Sequence, residues 1–228
     1  MKKLFLLFFV LFSNTLLPQN SEWEWNRPLP QGNNLNGVKF VNNDIVYITG
    51  LNGTLLKSTD SGETFKFIKT GITYYYSSNF IDENNIYLFR ENAILMKSSD
   101  GGQTWSEKKM PFTLLKSGYY KFFDLNNGIY VSLPDSSLLR TTDAGDYWEK
   151  LSLPSTSLFG ISYFLNKKIG FIIDDNKFIK TTDGGDSWTQ TNNFPYTSIA
   201  SMYFFNENIG CFSSFSGLIY KTTDGGEN

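Results

Sequence analysis

Histidine is absent from this chain of 228 residues, and cysteine occurs once, at Cys211. The first absence removes Ser-His-Asp triads, Cys-His dyads and imidazole-held zinc. The second removes any intrachain disulfide. Cys211 lies in an apolar strand pattern and is expected to be a small buried side chain, with no histidine to activate its thiol. Arginine is also scarce, with only Arg27, Arg90 and Arg140. No glycine-rich phosphate loop leads from a strand into a helix. The carboxylate pair Asp174-Asp175 falls where a turn is expected and is read as turn-forming.

Long apolar runs are missing beyond the N-terminus. There Met1-Lys2-Lys3 precedes the apolar stretch Leu4 to Phe12, which is too short to span a bilayer. Residues 1–20 read as a secretory signal peptide, cut somewhere between Ser13 and Ser21. No cysteine nearby offers a lipoprotein anchor. The remainder, 21–228, is expected to be a single exported domain, periplasmic, cell-surface or secreted, without membrane insertion. Losing Lys2 and Lys3 leaves 18 basic and 22 acidic residues, a net charge near −4, which argues against nucleic acid or anionic membrane as partner. Abundant aromatics, with many Asn, Gly and Ser and little Ala, point to an all-β domain.

What the chain does contain is a repeat. Lys180-Thr181-Thr182-Asp183-Gly184-Gly185-Asp186-Ser187-Trp188 has counterparts starting at Lys57, Lys97, Arg140 and Lys221. Asp60, Asp100, Asp143, Asp183 and Asp224 are 40, 43, 40 and 41 residues apart, a period that signals a propeller or solenoid. Apolar pairs before each box (Leu55-Leu56, Leu95-Met96, Leu138-Leu139, Phe178-Ile179, Ile219-Tyr220) read as a strand. A second strand starts at Phe65, Trp105, Trp148 or Trp188. Between them the chain reverses: Gly62, Gly102, Gly145, Gly185 and Gly226 permit positive φ, and the aspartate accepts hydrogen bonds from amides further on. This makes the box a hairpin staple. Calcium binding is the alternative, but one or two carboxylates per box fall short of six to eight oxygens. No metal or cofactor is expected.

The pattern resembles the Asp-box, or BNR repeat, of β-propellers. Sialidases carry it, as does the photosystem II stability and assembly-factor family. The phrase at 180–188, with Trp23-Glu24-Trp25 and the following Pro28-Leu29-Pro30-Gln31-Gly32-Asn33, is more similar to the second family. The resemblance covers residues 21–228.

Phasing on the box aspartates gives four strands per repeat of about 41 residues, one propeller blade. Strand a carries an aromatic twenty residues earlier: Phe40, Phe80, Phe123, Tyr163 and Phe204. An Asn/Asp/Gly turn and strand b follow, then strand c, the box and strand d. Trp25 lies in strand-d phase, so Glu22–Asn26 is expected to complete the last blade and close a ring of about five blades. The rival reading is the front of a longer propeller. The longer 43-residue spacing is assigned to the connection around Met110 to Tyr119. Its Phe112 and Tyr119, with Tyr74, Tyr75 and Tyr76 of the preceding connection, are candidate binding-loop residues. The alternative is packing between blades.

For function, the resemblance implies a non-catalytic scaffold that binds a protein partner or complex during assembly. Photosynthetic members present an arginine-rich patch to the partner; this arginine-poor chain departs there. A cell-surface carbohydrate-binding propeller, stacking glycan on the loop aromatics, is the second reading. A sialidase-like hydrolase is the third. Such enzymes hold the substrate carboxylate with three arginines, whereas Arg140 here fills the box's repeated basic slot.

Overall fold

The computed structural model describes residues 32–110, 118–132, 137–154, 160–174, 177–191 and 199–227. These form five separate antiparallel sheets. Blade 1 comprises β1 (Leu35–Phe40), β2 (Val46–Gly50), β3 (Leu55–Ser58) and β4 (Lys66–Phe67). Blade 2 comprises β5 (Tyr75–Phe80), β6 (Ile86–Arg90), β7 (Ile94–Ser98) and β8 (Ser106–Lys109). Blade 3 has β9 (Tyr119–Phe122), β10 (Gly128–Ser132), β11 (Ser137–Thr141) and β12 (Glu149–Leu151). Blade 4 has β13 (Gly160–Phe164), β14 (Gly170–Asp174), β15 (Lys177–Thr181) and β16 (Thr189–Thr191). Blade 5 contributes β17 (Ile199–Phe204), β18 (Gly210–Ser214) and β19 (Ile219–Thr222) among the described residues. The described residues form an all-β propeller of five antiparallel blades. The segment expected to complete blade 5, Glu22–Asn26, and the leader lie outside the described residues.

Side-chain alternation explains the stacking. In β6, Ile86 and Leu88 face blade 1 and join Tyr47 and Leu55 in one cluster. Tyr87 and Phe89 face blade 3 and join Phe122 and Tyr130 in another. A middle strand buried on both faces therefore reads as a continuous apolar run, while the outer strand Ser106–Lys109 is polar because only its inner edge is paired. From blade 2 to blade 5, adjacent blades approach most closely through their first strands, which places those strands innermost.

The first strand's register differs from the fixed count of twenty. Phe40, Phe80, Phe122, Phe164 and Phe204 pair with Val46, Ile86, Gly128, Gly170 and Gly210. The equivalent aromatics in blades 3 and 4 are thus Phe122 and Phe164, not Phe123 and Tyr163. The a–b turn is constant; the b–c hairpin varies, with four residues between Ser132 and Ser137 and two between Asp174 and Lys177. One residue of the long 43-residue spacing consequently belongs to the 133–136 hairpin. The connection before blade 3 accounts for the other two, since Trp105 to Phe122 is 17 residues against 15 from Phe65 to Phe80. Cys211 is a second correction: its thiol is exposed, because in blade 5 the face it occupies carries no further blade among the described residues.

Candidate functional site

Each box folds around its aspartate in the same way. In box 4, Thr181 Oγ1 donates to Asp183 Oδ1 (2.8 Å) and accepts from the Gly185 amide (2.9 Å). Ser187 closes the far side, its amide donating to Oδ1 (2.9 Å) and its hydroxyl to Oδ2 (2.5 Å). Ser58, Asp60, Gly62 and Thr64 repeat this in blade 1, and Ser98, Asp100, Gly102 and Thr104 in blade 2. In blade 3 the amide of Tyr147 reaches Asp143, and in blade 5 that of Glu227 reaches Asp224. Donors crowding the anion hold it ionised. The Ser58 and Thr64 hydroxyls lower the Asp60 carboxyl to about 2. Thr104 does most to lower Asp100, also to about 2. The Ser187 hydroxyl leads in holding Asp183 far below the ordinary carboxylate range. The box glycines take positive φ, as at Gly185 (99°). Trp148 is buried between blades 2 and 3, Trp188 and Trp105 pack at the margins of their clusters, and Phe65 is half-buried.

A second motif went unread in the sequence. The a–b turn is held by Asn42, Asp82, Asp124, Asn166 or Asn206, whose Oδ1 accepts two amides two and three residues on. The box then docks on that turn: the amides of Ser61, Gly101, Ala144, Gly184 and Gly225 donate to Asp44, Asn84, Asn126, Lys168 and Asn208 carbonyls at 2.7–2.9 Å.

The box's leading cation joins consecutive blades. Lys57 Nζ and Tyr47 Oη both donate to the Glu83 carbonyl at 3.0 Å. Tyr87 Oη donates to the Leu125 carbonyl at 2.7 Å. Lys97 and Lys108 share Asp146, which the Lys108 hydrogen bond above all keeps ionised below the usual range. Arg140 binds Asp186 at 3.0 Å and Glu149 at 2.8 Å, and Lys180 reaches the Glu207 carbonyl at 3.4 Å. Arg90 is paired with Glu107 at 2.7 Å. Arg27 lies outside the described residues.

The aromatic loop residues separate. Tyr75 lies on β5 and its hydroxyl donates to the Thr54 carbonyl at 2.6 Å, so it packs between blades 1 and 2. Tyr119 lies on β9; its hydroxyl accepts from the Phe164 amide at 3.2 Å. Tyr74 is 46% exposed. Tyr76 falls on β5, and Phe112 lies outside the described residues.

An open pocket of about 300 Å³ lies along the first strands of blades 1 to 3, lined by Lys39, Thr49, Ser78, Asn79, Lys121 and Phe122 among others. Lys121 Nζ donates to the Phe164 carbonyl at 2.6 Å and sits over the Phe123 and Tyr163 rings. Burial, and secondarily the neighbouring Lys39, lower its pKa. Lys39 and Lys121 both line this concavity, Lys39 from an exposed position, and the positive charge they bring to it suits an anion. Sequence reading missed it because Lys39 and Lys121 come from different blades.

Residues 72–163 match the model of the family described as photosynthesis system II assembly factor YCF48. Over that stretch the chain is similar to this family. Among curated proteins none matches the chain. Among solved structures, YCF48 from Cyanidioschyzon merolae is 16% identical over 88% of this chain and 85% of that one, with a TM-score of 0.59. The GH74 enzyme of Niastella koreensis is 17% identical over 88% of this chain and 31% of that one, with a TM-score of 0.65. Virginiamycin B lyase from Staphylococcus aureus is 13% identical over 83% of this chain and 69% of that one, with a TM-score of 0.55. Such identities show the propeller fold, which this chain shares with enzymes and an assembly factor alike.

Proposed function

We propose that this chain is an exported, non-catalytic propeller scaffold that binds a protein partner, and that an acidic segment of the partner enters the pocket between Lys39 and Lys121. The observation that carries the reading is that lysine pair. Lys57, Lys97, Arg140 and Lys180 join blades, and Arg90 is held by Glu107. Lys39 instead faces the pocket from an exposed position. The commitment of Arg90 and Arg140 to ion pairs weighs against a sialidase-like carboxylate clamp. The matching family model, an assembly factor by its description, supports a partner-binding role.

The test is fluorescence anisotropy with labelled acidic peptides against the intact chain and Lys39→Glu. Expected is saturable binding that weakens at least tenfold in the variant and falls with salt. Equal binding by both proteins refutes the site. Binding of glycans in its place, lost in Tyr74→Ala, would favour the carbohydrate reading, for which exposed Tyr74 is the supporting feature.

A further inference from the structure

The four interfaces between consecutive blades repeat one design. Five residues before the box aspartate stand Leu55, Leu95, Leu138, Phe178 and Ile219. The first four are buried against the following blade. A β-carbon on Gly145, Gly185 or Gly226 would lie 2.7, 2.7 or 2.4 Å from the preceding blade's Leu95, Leu138 or Phe178. One residue into strand b, Tyr47, Tyr87 and Phe171 stack on Phe80, Phe122 and Phe204 of the next blade at 4.4, 4.1 and 3.7 Å. The leading cation then reaches an oxygen on the next blade, as above.

Blade 5 presents this forward face with nothing on it among the described residues. Ile219 is 80% exposed. Cys211, in the place of Tyr47 and Phe171, is exposed. Lys221, in the place of Lys57 and Lys180, is exposed and has no acceptor among the described residues. Blade 1 presents the matching rear face. Phe40, the counterpart of Phe80 and Phe204, is 60% exposed. A β-carbon on Gly62 would meet only Phe65 of its own box, where the four other box glycines meet the blade behind. Among the described residues of one copy, then, both halves of the recurring interface are uncovered, and any second copy carries the complement of each.

We propose that blade 5 of one copy docks on blade 1 of another, continuing the interface that joins the blades internally. Ile219 covers Gly62 as Leu95 covers Gly145. The Phe40 ring lies against Cys211. Lys221 reaches the carbonyl of Asn43, the counterpart of the Glu83 and Glu207 carbonyls that accept from Lys57 and Lys180. Such a contact is head-to-tail, so it builds rings or open chains of protomers rather than an isologous pair.

Sedimentation velocity of the intact chain is expected to give a weight-average mass that rises with concentration to at least twice that of Ile219→Lys. The variant should remain monomeric with an unchanged circular dichroism spectrum, since Ile219 is a surface residue in one copy. The mating faces are identified by Phe40→Cys, which places a thiol opposite Cys211. Mild oxidation should yield a disulfide-linked ladder on non-reducing gels that fades on dilution and is absent from the Phe40→Cys/Cys211→Ser double variant. A concentration-independent intrachain product would overturn the proposal, because the two faces would then meet within one copy. A concentration-independent monomer would overturn it equally, as would an associated Phe40→Cys sample in which the introduced thiol forms no disulfide with Cys211.

Discussion

Replacing Phe204 and Phe40 separately by alanine puts the same deletion at equivalent positions of a covered and an uncovered blade face. Phe204 is fully buried, stacked on Phe171 at 3.7 Å and flanked by Phe178 and Phe212. Removing a ring from such a site forfeits its transfer energy and leaves a cavity that rigid aromatic neighbours cannot fill. Phe204→Ala should therefore cost about 3–5 kcal/mol. Phe40 occupies the same register, Phe40 opposite Val46 as Phe204 is opposite Gly210, but its ring is 60% exposed. Phe40→Ala should cost less than about 1 kcal/mol, as ordinary surface substitutions do. Urea titration followed by tryptophan fluorescence, at protein concentrations below association, reads both from the midpoint and slope. A Phe40→Ala cost within about 1 kcal/mol of the Phe204→Ala cost would refute the reasoning, since the ring would then have to be buried.

Four further outcomes follow from the same geometry. Phe122→Ala should destabilise more than Phe123→Ala by at least about 1 kcal/mol, because Phe122 is buried on Tyr87 while Phe123 lies at a cluster margin; equal costs would restore the simple count from the box. Thr181→Val should cost about 1–3 kcal/mol in the same titration, since the buried hydroxyl is what the Gly185 amide donates to. Asp60 and Asp100 are lowered to about 2 in the fold, below the unfolded aspartate value of about 3.9, so their contribution is complete above about pH 4 and is lost as pH falls towards about 2. Melting temperature against pH should show that loss, and Asp100→Asn should make it shallower. Cys211 should react stoichiometrically with a thiol reagent in the native dilute protein, because its sulfur is exposed.

The architecture was legible because the box is local: its hydroxyl, aspartate, glycine and aromatic sit within nine residues and make most of their bonds to one another. Register was less legible, because counting from Asp143 and Asp183 presumes b–c hairpins of one length, and those at 133–136 and 175–176 differ. A better marker was present: Phe122, Phe164 and Phe204 each precede by six residues a glycine, Gly128, Gly170 or Gly210, whose missing β-carbon makes room for the ring. Cys211 misled because an apolar alternation cannot say whether a blade stands beyond it. The blade-joining roles of Lys57, Lys97, Arg140 and Lys180 were hidden for a related reason. Each acceptor lies in the next repeat, 26 residues on for Lys57 and 46 for Arg140. The pocket at Lys39 and Lys121 is longer-range still, assembled from three blades.

The most direct test of a scaffold that receives an acidic partner segment on its inner strands is hydrogen exchange of the intact chain with and without saturating acidic peptide. The account predicts slowed exchange in β1, β5 and β9 around Lys39, Asn79 and Lys121, absent in Lys39→Glu. Protection confined to the surroundings of Tyr74, or no protection at any inner strand under saturating peptide, would contradict it.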